Sequence, residues 1–454
     1  MIEPIANSPR SPRAPGNTRR PPPVVDAFET SPCNTGNAVN EPQQTTIQGS
    51  GWRPLNIAFV HPDFASGDAR RFVVEAALAL ADAGHRVQVH TTSDDASRAF
   101  NAASSPVLML RKHRGWAPTN LFGMGQTSCS MVRSLVTARR VGGWIPRPHL
   151  VFCDRFAHMA AALKRKGLPV LCYGPAPELV PSIQGPRGTL LSRTLLHAQQ
   201  VGLEAADRIV VSSEFASRAC SAAFPALSAP PVVVPPAVDL EPYERIEPIA
   251  EGAPANLVWI GNFQASANPI LAVQVVTALR RRLVERDAVN GDAVSPRLVL
   301  VGEFDSRLAD NRRTLDAVRS RIDELDLGEL VTIELSPSRD RKLELLANAR
   351  AVLHTSISEP FAYGPLEAMA AGRPVVCAEK ARVVEAMIDG ETGRVVKATP
   401  DSFAKAIIPL LRDTARAREL GEAARVHMRK NFSRSRFATA LESLVLETIA
   451  SNVR

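Results

Sequence analysis

Two carboxylates, Glu359 and Glu367, stand eight positions apart in the run Ser358-Glu359-Pro360-Phe361-Ala362-Tyr363-Gly364-Pro365-Leu366-Glu367-Ala368-Met369-Ala370-Ala371-Gly372-Arg373-Pro374-Val375-Val376. The pattern predicts a strand, a loop carrying Glu359, and a helix whose first turn carries Glu367, with Pro365 at the helix start where a missing N–H is tolerated. The two carboxylates therefore do not share a helix face. One lies in the loop at the carboxyl end of the sheet and the other beside the helix start. Carboxylates so placed accept hydrogen bonds from sugar or ribose hydroxyls, and the amides exposed at the helix start suit a phosphate. An isolated pair would serve equally well to complement the positive end of the helix dipole.

Elements of an open α/β sheet must hold that loop. Short apolar runs at 256–260, 297–301, 331–333, 351–354 and 374–377 read as buried parallel strands, and 271–283, 313–325, 342–349 and 365–371 as the helices between them. Upstream, the strand Leu55-Asn56-Ile57-Ala58-Phe59-Val60 closes on His61-Pro62-Asp63. Phe72, Val73, Ala76, Ala77, Leu80 and Ala81 then recur at helical spacing, and Gly84 caps that helix before a strand at 86–91. Further strands are read at 150–153, 170–173 and 208–212, and the prolines 230–231 and 235–236 punctuate a connector. The chain thus divides into a tail (1–50), two α/β domains (51–240 and 241–430) and a terminal helix (431–454) expected to pack back on the first domain. The tail is rich in Pro, Asn, Ser and Thr and lacks apolar periodicity, so it is expected to be disordered.

Of the 454 residues, 45% are hydrophobic and 22% charged. That composition supports a large core and excludes collagen, coiled-coil and disulfide-framework classes. The six cysteines form no CxxC pair, and the nine histidines offer no HExxH or closely spaced pair. No metal site is expected, and a reducing compartment fits. No apolar stretch reaches the roughly 18–20 residues of a spanning helix, and no signal peptide is recognised. The four arginines of the tail are balanced by four acidic residues, so the net charge of +8 belongs to the folded part. Anionic ligands or lipid headgroups are the natural partners of that excess. Nucleic acid is not, since no aromatic interleaving or known module accompanies the cations. The stretch 107–122 mixes apolar residues, cations and Trp116, as at an interfacial membrane contact, although a strand followed by a solvated basic loop would read the same way.

The run 358–376 resembles the hallmark of the retaining GT-B glycosyltransferases of the family 4 type, which use nucleotide sugars: a Glu, seven residues and a second Glu, then Ala-Met and a Gly-x-Pro-Val strand. The resemblance continues through residues 57–63, 72–77, 151–154, 206–215 and 331–333 and covers about residues 55–440. It is nearest to the mannosyltransferases that extend dolichol-linked precursors of N-glycosylation. It implies an α/β GT-B fold of two Rossmann-like, doubly wound domains facing a cleft, the first binding acceptor and the second the nucleotide sugar. It also implies a hexosyltransferase that uses GDP-mannose, retains anomeric configuration, needs no metal, and acts on a dolichol-diphosphate-linked oligosaccharide. Peripheral association with the cytosolic face of the endoplasmic reticulum, and other glycosyltransferases as partners, follow from the same resemblance. By position, Glu359 is the catalytic carboxylate near the donor sugar and Glu367 the ribose ligand. Gly364, Pro365, Leu366, Gly261, Asn262 and Gly302 fall in the donor pocket, with Gly67 on the acceptor side; His61, just beyond the first strand, is placed either to face the cleft and help bind acceptor or to be a plain loop histidine.

Several positions depart from the family. Its Arg and Lys, which hold the donor pyrophosphate, have no counterpart in Gly261-Asn262-Phe263-Gln264-Ala265-Ser266-Ala267-Asn268-Pro269, where Asn262 and Ala267 occupy the basic positions. Of the paired glycines after the first strand only Gly67 remains, the acceptor-domain histidine is replaced within 173–178, and Glu379-Lys380-Ala381 stands for Gly-Gly-Pro. These changes leave open a catalytically degenerate GT-B protein acting as partner or scaffold of an active glycosyltransferase. They also leave open an active transferase with another nucleotide sugar.

Overall fold

Runs of Val, Ile, Leu and Ala that show no polar alternation become strands covered by helices on both faces, as parallel sheets require. The computed structural model describes residues 53–61, 68–92, 107–113, 126–141, 143, 146–154, 156–174, 190–290, 296–306, 308–356 and 362–452. The tail 1–50, Gly67, Glu359 and residues 114–122 of the proposed membrane-contact stretch lie outside the described residues.

The first sheet holds β1 (Asn56–Val60), β2 (Arg86–Thr91), β3 (Leu108–Lys112), β4 (Leu150–Asp154), β5 (Val170–Tyr173), β6 (Arg208–Val211) and β7 (Val232–Val233). Its order is β3-β2-β1-β4-β5-β6-β7, parallel throughout. Helices α1 (Asp68–Asp82), α2 (Gln126–Val141), α3 (Ala160–Lys164), α4 (Leu190–Ala205) and α5 (Glu214–Ala223) connect these strands, and α6 (Glu241–Glu244) leads out of the domain. The second sheet holds β8 (Asn256–Asn262), β9 (Arg297–Glu303), β10 (Val331–Leu335), β11 (Ala351–His354), β12 (Val375–Ala378) and β13 (Arg394–Val396) in the order β10-β9-β8-β11-β12-β13, again all parallel. Its helices are α7 (Pro269–Asn290), α8 (Ala309–Glu324), α9 (Arg339–Ala347), α10 (Tyr363–Ala370), α11 (Pro400–Arg412) and α12 (Thr414–Asn431).

Strand order reverses between β1 and β4 in one sheet and between β8 and β11 in the other. Such switch points open a crevice at the carboxyl ends of the strands, where ligands of doubly wound sheets bind. The final helix, α13 (Arg434–Asn452), lies against α1 of the first domain. Phe437 meets the Phe72 ring edge-on at 5.4 Å, Leu441, Leu444 and Val445 join the same core, and Arg434 Nε donates to Glu75 Oε2 at 3.0 Å.

One local expectation is corrected, at the helix that carries Glu367. Helix α10 begins at Tyr363 behind Ala362, so Pro365 is its third residue and Glu367 lies in its second turn, not its first. The fixed φ of proline suits any place in the first turn, which is why the residue does not pin the start. The described part of the stretch 107–122 forms β3 at the sheet edge, where Leu108 and Leu110 pack against the first-domain core. No helix among the described residues is long and apolar enough to cross a membrane.

Candidate functional site

The carboxyl ends of β8 and β9 and the start of α10 meet through three glycines. Gly261 and Gly302 are register partners. A Cβ on Gly302 would meet Gly261 O at 2.3 Å, one on Gly261 the Trp259 ring at 2.7 Å, and one on Gly364 the Ile260 Cγ2 at 2.6 Å. Backbone at Gly302 and the Trp259 and Ile260 side chains at Gly261 and Gly364 leave no room for a Cβ, so the helix start is seated directly against the strand end. Pro365 and Leu366 are buried in that packing, and Leu366 belongs to the core. The sequence grouped both with the donor pocket; their side chains pack the helix in place. Asn262 ends β8 half-buried, whereas Ala267, at the second position without a cation, is buried in the core. Thr355 fixes this turn: its Oγ1 accepts from Trp259 Nε1 at 2.8 Å and approaches the carbonyls of Ala267 and Asn268 at 2.9 and 2.8 Å.

Glu367 lies one turn further along α10 and is almost fully buried. Arg71 of α1, from the first domain, donates through Nη1 to its Oε1, and Lys342 Nζ of α9 sits 2.7 Å from its Oε2. The Arg71 guanidinium also lies 4.2 Å above the Tyr363 ring, a cation–π arrangement that fixes its place at the start of α10. Burial alone would raise the Glu367 pKa, but the charges of Arg71 and Lys342 and their hydrogen bonds outweigh it and hold the carboxyl at about 2. Burial and the neighbouring Glu367 charge push the Tyr243 hydroxyl up, so it stays protonated and able to donate. The sequence located Glu367 but missed Arg71 and Lys342, which lie in ordinary helical patterns with no local sign of a shared partner.

On the first-domain side, His61 follows β1 and its Nδ1 meets Asp154 Oδ2 at the end of β4, directly at the switch point. Both side chains are buried. Asp154 completes a pairing of which the sequence singled out only the histidine. Next to it, His90 Nδ1 and His113 Nε2 lie 2.9 Å apart at the ends of β2 and β3. Burial, with His113 and Arg111 nearby, pushes the His90 pKa down to about 3. Among the described residues no group of three or more His, Cys, Asp or Glu side chains is placed to hold a metal ion.

The arrangement sets a buried, ionised carboxylate, flanked by one cation from each domain, apart from a histidine–aspartate pair at the switch point of the first sheet. Comparison with known proteins places it in context. Residues 69–242 match the family model described as Glycosyltransferase Family 4, and residues 245–427 the one described as Glycosyl transferases group 1. The chain is 28% identical over 412 residues to alpha-1,3/1,6-mannosyltransferase ALG2 of Homo sapiens, covering 87% of this chain and 96% of that one. It is 25% identical over 429 residues to the ALG2 of Rhizomucor pusillus, covering 87% and 92%. Among solved structures it is similar to sucrose-phosphate synthase from Thermosynechococcus elongatus, with a TM-score of 0.68 at 20% identity over 87% of this chain and 100% of that one. It is also similar to Anabaena HepE in complex with UDP and glucose, with a TM-score of 0.64 at 17% identity over 87% and 100% of the two chains.

Proposed function

This chain belongs to the GT-B glycosyltransferases, with a family 4 first half and a group 1 second half, and we propose that it transfers mannose from GDP-mannose, with retention, to a lipid-linked oligosaccharide of N-glycan precursor assembly. The observation that carries this reading is the similarity to ALG2 mannosyltransferases of several species along 87–90% of the chain. Fold likeness alone would not choose the sugar, because one fold serves many donors and acceptors.

In this reading the second domain holds the donor. Glu367, ionised at any physiological pH, accepts from the ribose hydroxyls, while the amides at the start of α10 face the phosphates. Glu359, which precedes α10 in the sequence, acts at the donor sugar, a role that rests on the resemblance. By resemblance Gly67 serves the acceptor side, and His61, whose ring Asp154 orients at the switch point, is assigned to the same side. Positive charge from the protein meets the charge that develops on the departing diphosphate, so no metal is required. The acceptor lipid places the reaction at a membrane surface, the cytosolic face of the endoplasmic reticulum, with the protein bound peripherally.

The test is transfer of mannose from GDP-mannose to lipid-linked Man-GlcNAc-GlcNAc by the purified protein. Product is expected from the wild type and its loss from Glu367→Ala, which should weaken nucleotide-sugar binding by about 1.5–3 kcal/mol, the range for hydrogen bonds to a charged group. No product from folded wild type, beside a relative that makes it under the same conditions, would overturn the reading.

A further inference from the structure

The donor loop 261–269 carries no cation, and one of its two basic positions, Ala267, is a core residue with 1% exposure. A diphosphate still needs positive charge, and the cluster around Glu367 supplies it from elsewhere in the fold. We propose that Arg71 and Lys342 are the diphosphate-binding cations of this chain, an assignment that rests on the donor-site reading above and adds residues to it.

Three observations carry the inference. The two side chains hold one carboxylate between them, so the cluster bears a net charge of +1 beside the start of α10. Neither is sealed off: the Arg71 side chain is 30% exposed and that of Lys342 24%, while Glu367 is 2% exposed. Their contacts with Glu367 use one nitrogen of each, and a guanidinium offers five N–H donors and an ammonium three. Arg71 is further held over Tyr363, the first residue of the helix whose amides face the phosphates. Arg71 also comes from the first domain. A diphosphate gripped by Arg71 and Lys342 is held by both domains at once, which couples donor binding to the approach of the acceptor domain.

The experiment measures binding of guanosine, GMP and GDP, with uridine and UDP in parallel so that base preference does not decide the result. Arg71→Gln and Lys342→Gln should each lose about tenfold or more in nucleoside diphosphate affinity, the factor for one charged hydrogen bond, with a clearly smaller loss for the nucleoside, whose ribose meets the carboxylate that these cations hold. Arg71→Lys should recover part of the loss, since it keeps the charge but not the fork. Equal losses for nucleoside and diphosphate, or no loss for the diphosphate, in variants that still melt cooperatively would overturn the assignment while the wild type binds normally. A wild type that binds neither GDP nor UDP would overturn the donor reading together with it. Lys342→Gln, at a partly exposed position, keeps the test decisive if Arg71→Gln does not fold.

Discussion

Ionisation at single residues sets how this protein responds to pH. Burial holds His354 at about 4 and His90 at about 3, against 6.5 for each in the unfolded chain. Below about pH 6.5 the unfolded state therefore takes up protons that the folded state refuses, and stability falls as the pH drops toward 4 and then 3. Glu367 works in a lower window: its stabilisation is complete above 4.5 and is lost as the pH falls from 4.5 toward 2. Thermal melting across pH should show a decline that begins near 6.5 and steepens below 4.5. His354→Asn should flatten the upper part of the profile and Glu367→Gln only the lower part. An unchanged profile in both would remove these groups as its cause. Glu367 was legible in the sequence because its motif is local. Its partner Arg71 lies 296 positions upstream and carries no mark of the pairing.

Elements were legible where their apolar pattern was strong. The helix read from Phe72 to Ala81 forms as α1, and the strands at 86–91, 170–173 and 351–354 form with the bounds expected. The two-residue β7 and the three-residue β13 were not read, because so few residues carry no period. What the pattern could not convey is how closely elements approach. Gly302 has backbone 2.3 Å from where its Cβ would be, whereas Gly328 has nothing within 4 Å. Gly302→Ala should destabilise the second domain by about 1–3 kcal/mol, the range for overpacking, and Gly328→Ala should leave it unchanged. Thermal denaturation distinguishes them, and equal melting temperatures would show that β8 and β9 can part without cost.

For the whole molecule, the domains are joined by specific polar contacts as well as by the chain. Glu385 of the second domain accepts from the amides of Glu214 and Phe215 at 2.8 and 2.7 Å, supplying the first turn of α5 with a carboxylate from across the cleft. Ser213 caps the same helix from within its own domain, accepting from Ala216 N at 3.1 Å. In Glu385→Ala, amide hydrogen exchange at Glu214 and Phe215 should quicken while Ala216 keeps its protection. A destabilisation of about 0.5–2 kcal/mol, the range for a lost N-cap, is expected. Unchanged exchange at 214 and 215 would mean that the cross-domain cap does not persist in solution.

The sequence by itself determined the alternation of strands and helices, the α/β class and the carboxylate motif. Each of these is written in residues close together in the chain, where periodicity and spacing act directly. Only the tertiary structure decided which charges share a site. Arg71, Lys342 and Glu367 meet because α1, α9 and α10 converge from two domains, and His61 meets Asp154 because β1 and β4 are neighbours at a switch point. Convergence of that kind depends on strand order and domain approach, which no local pattern of residues encodes.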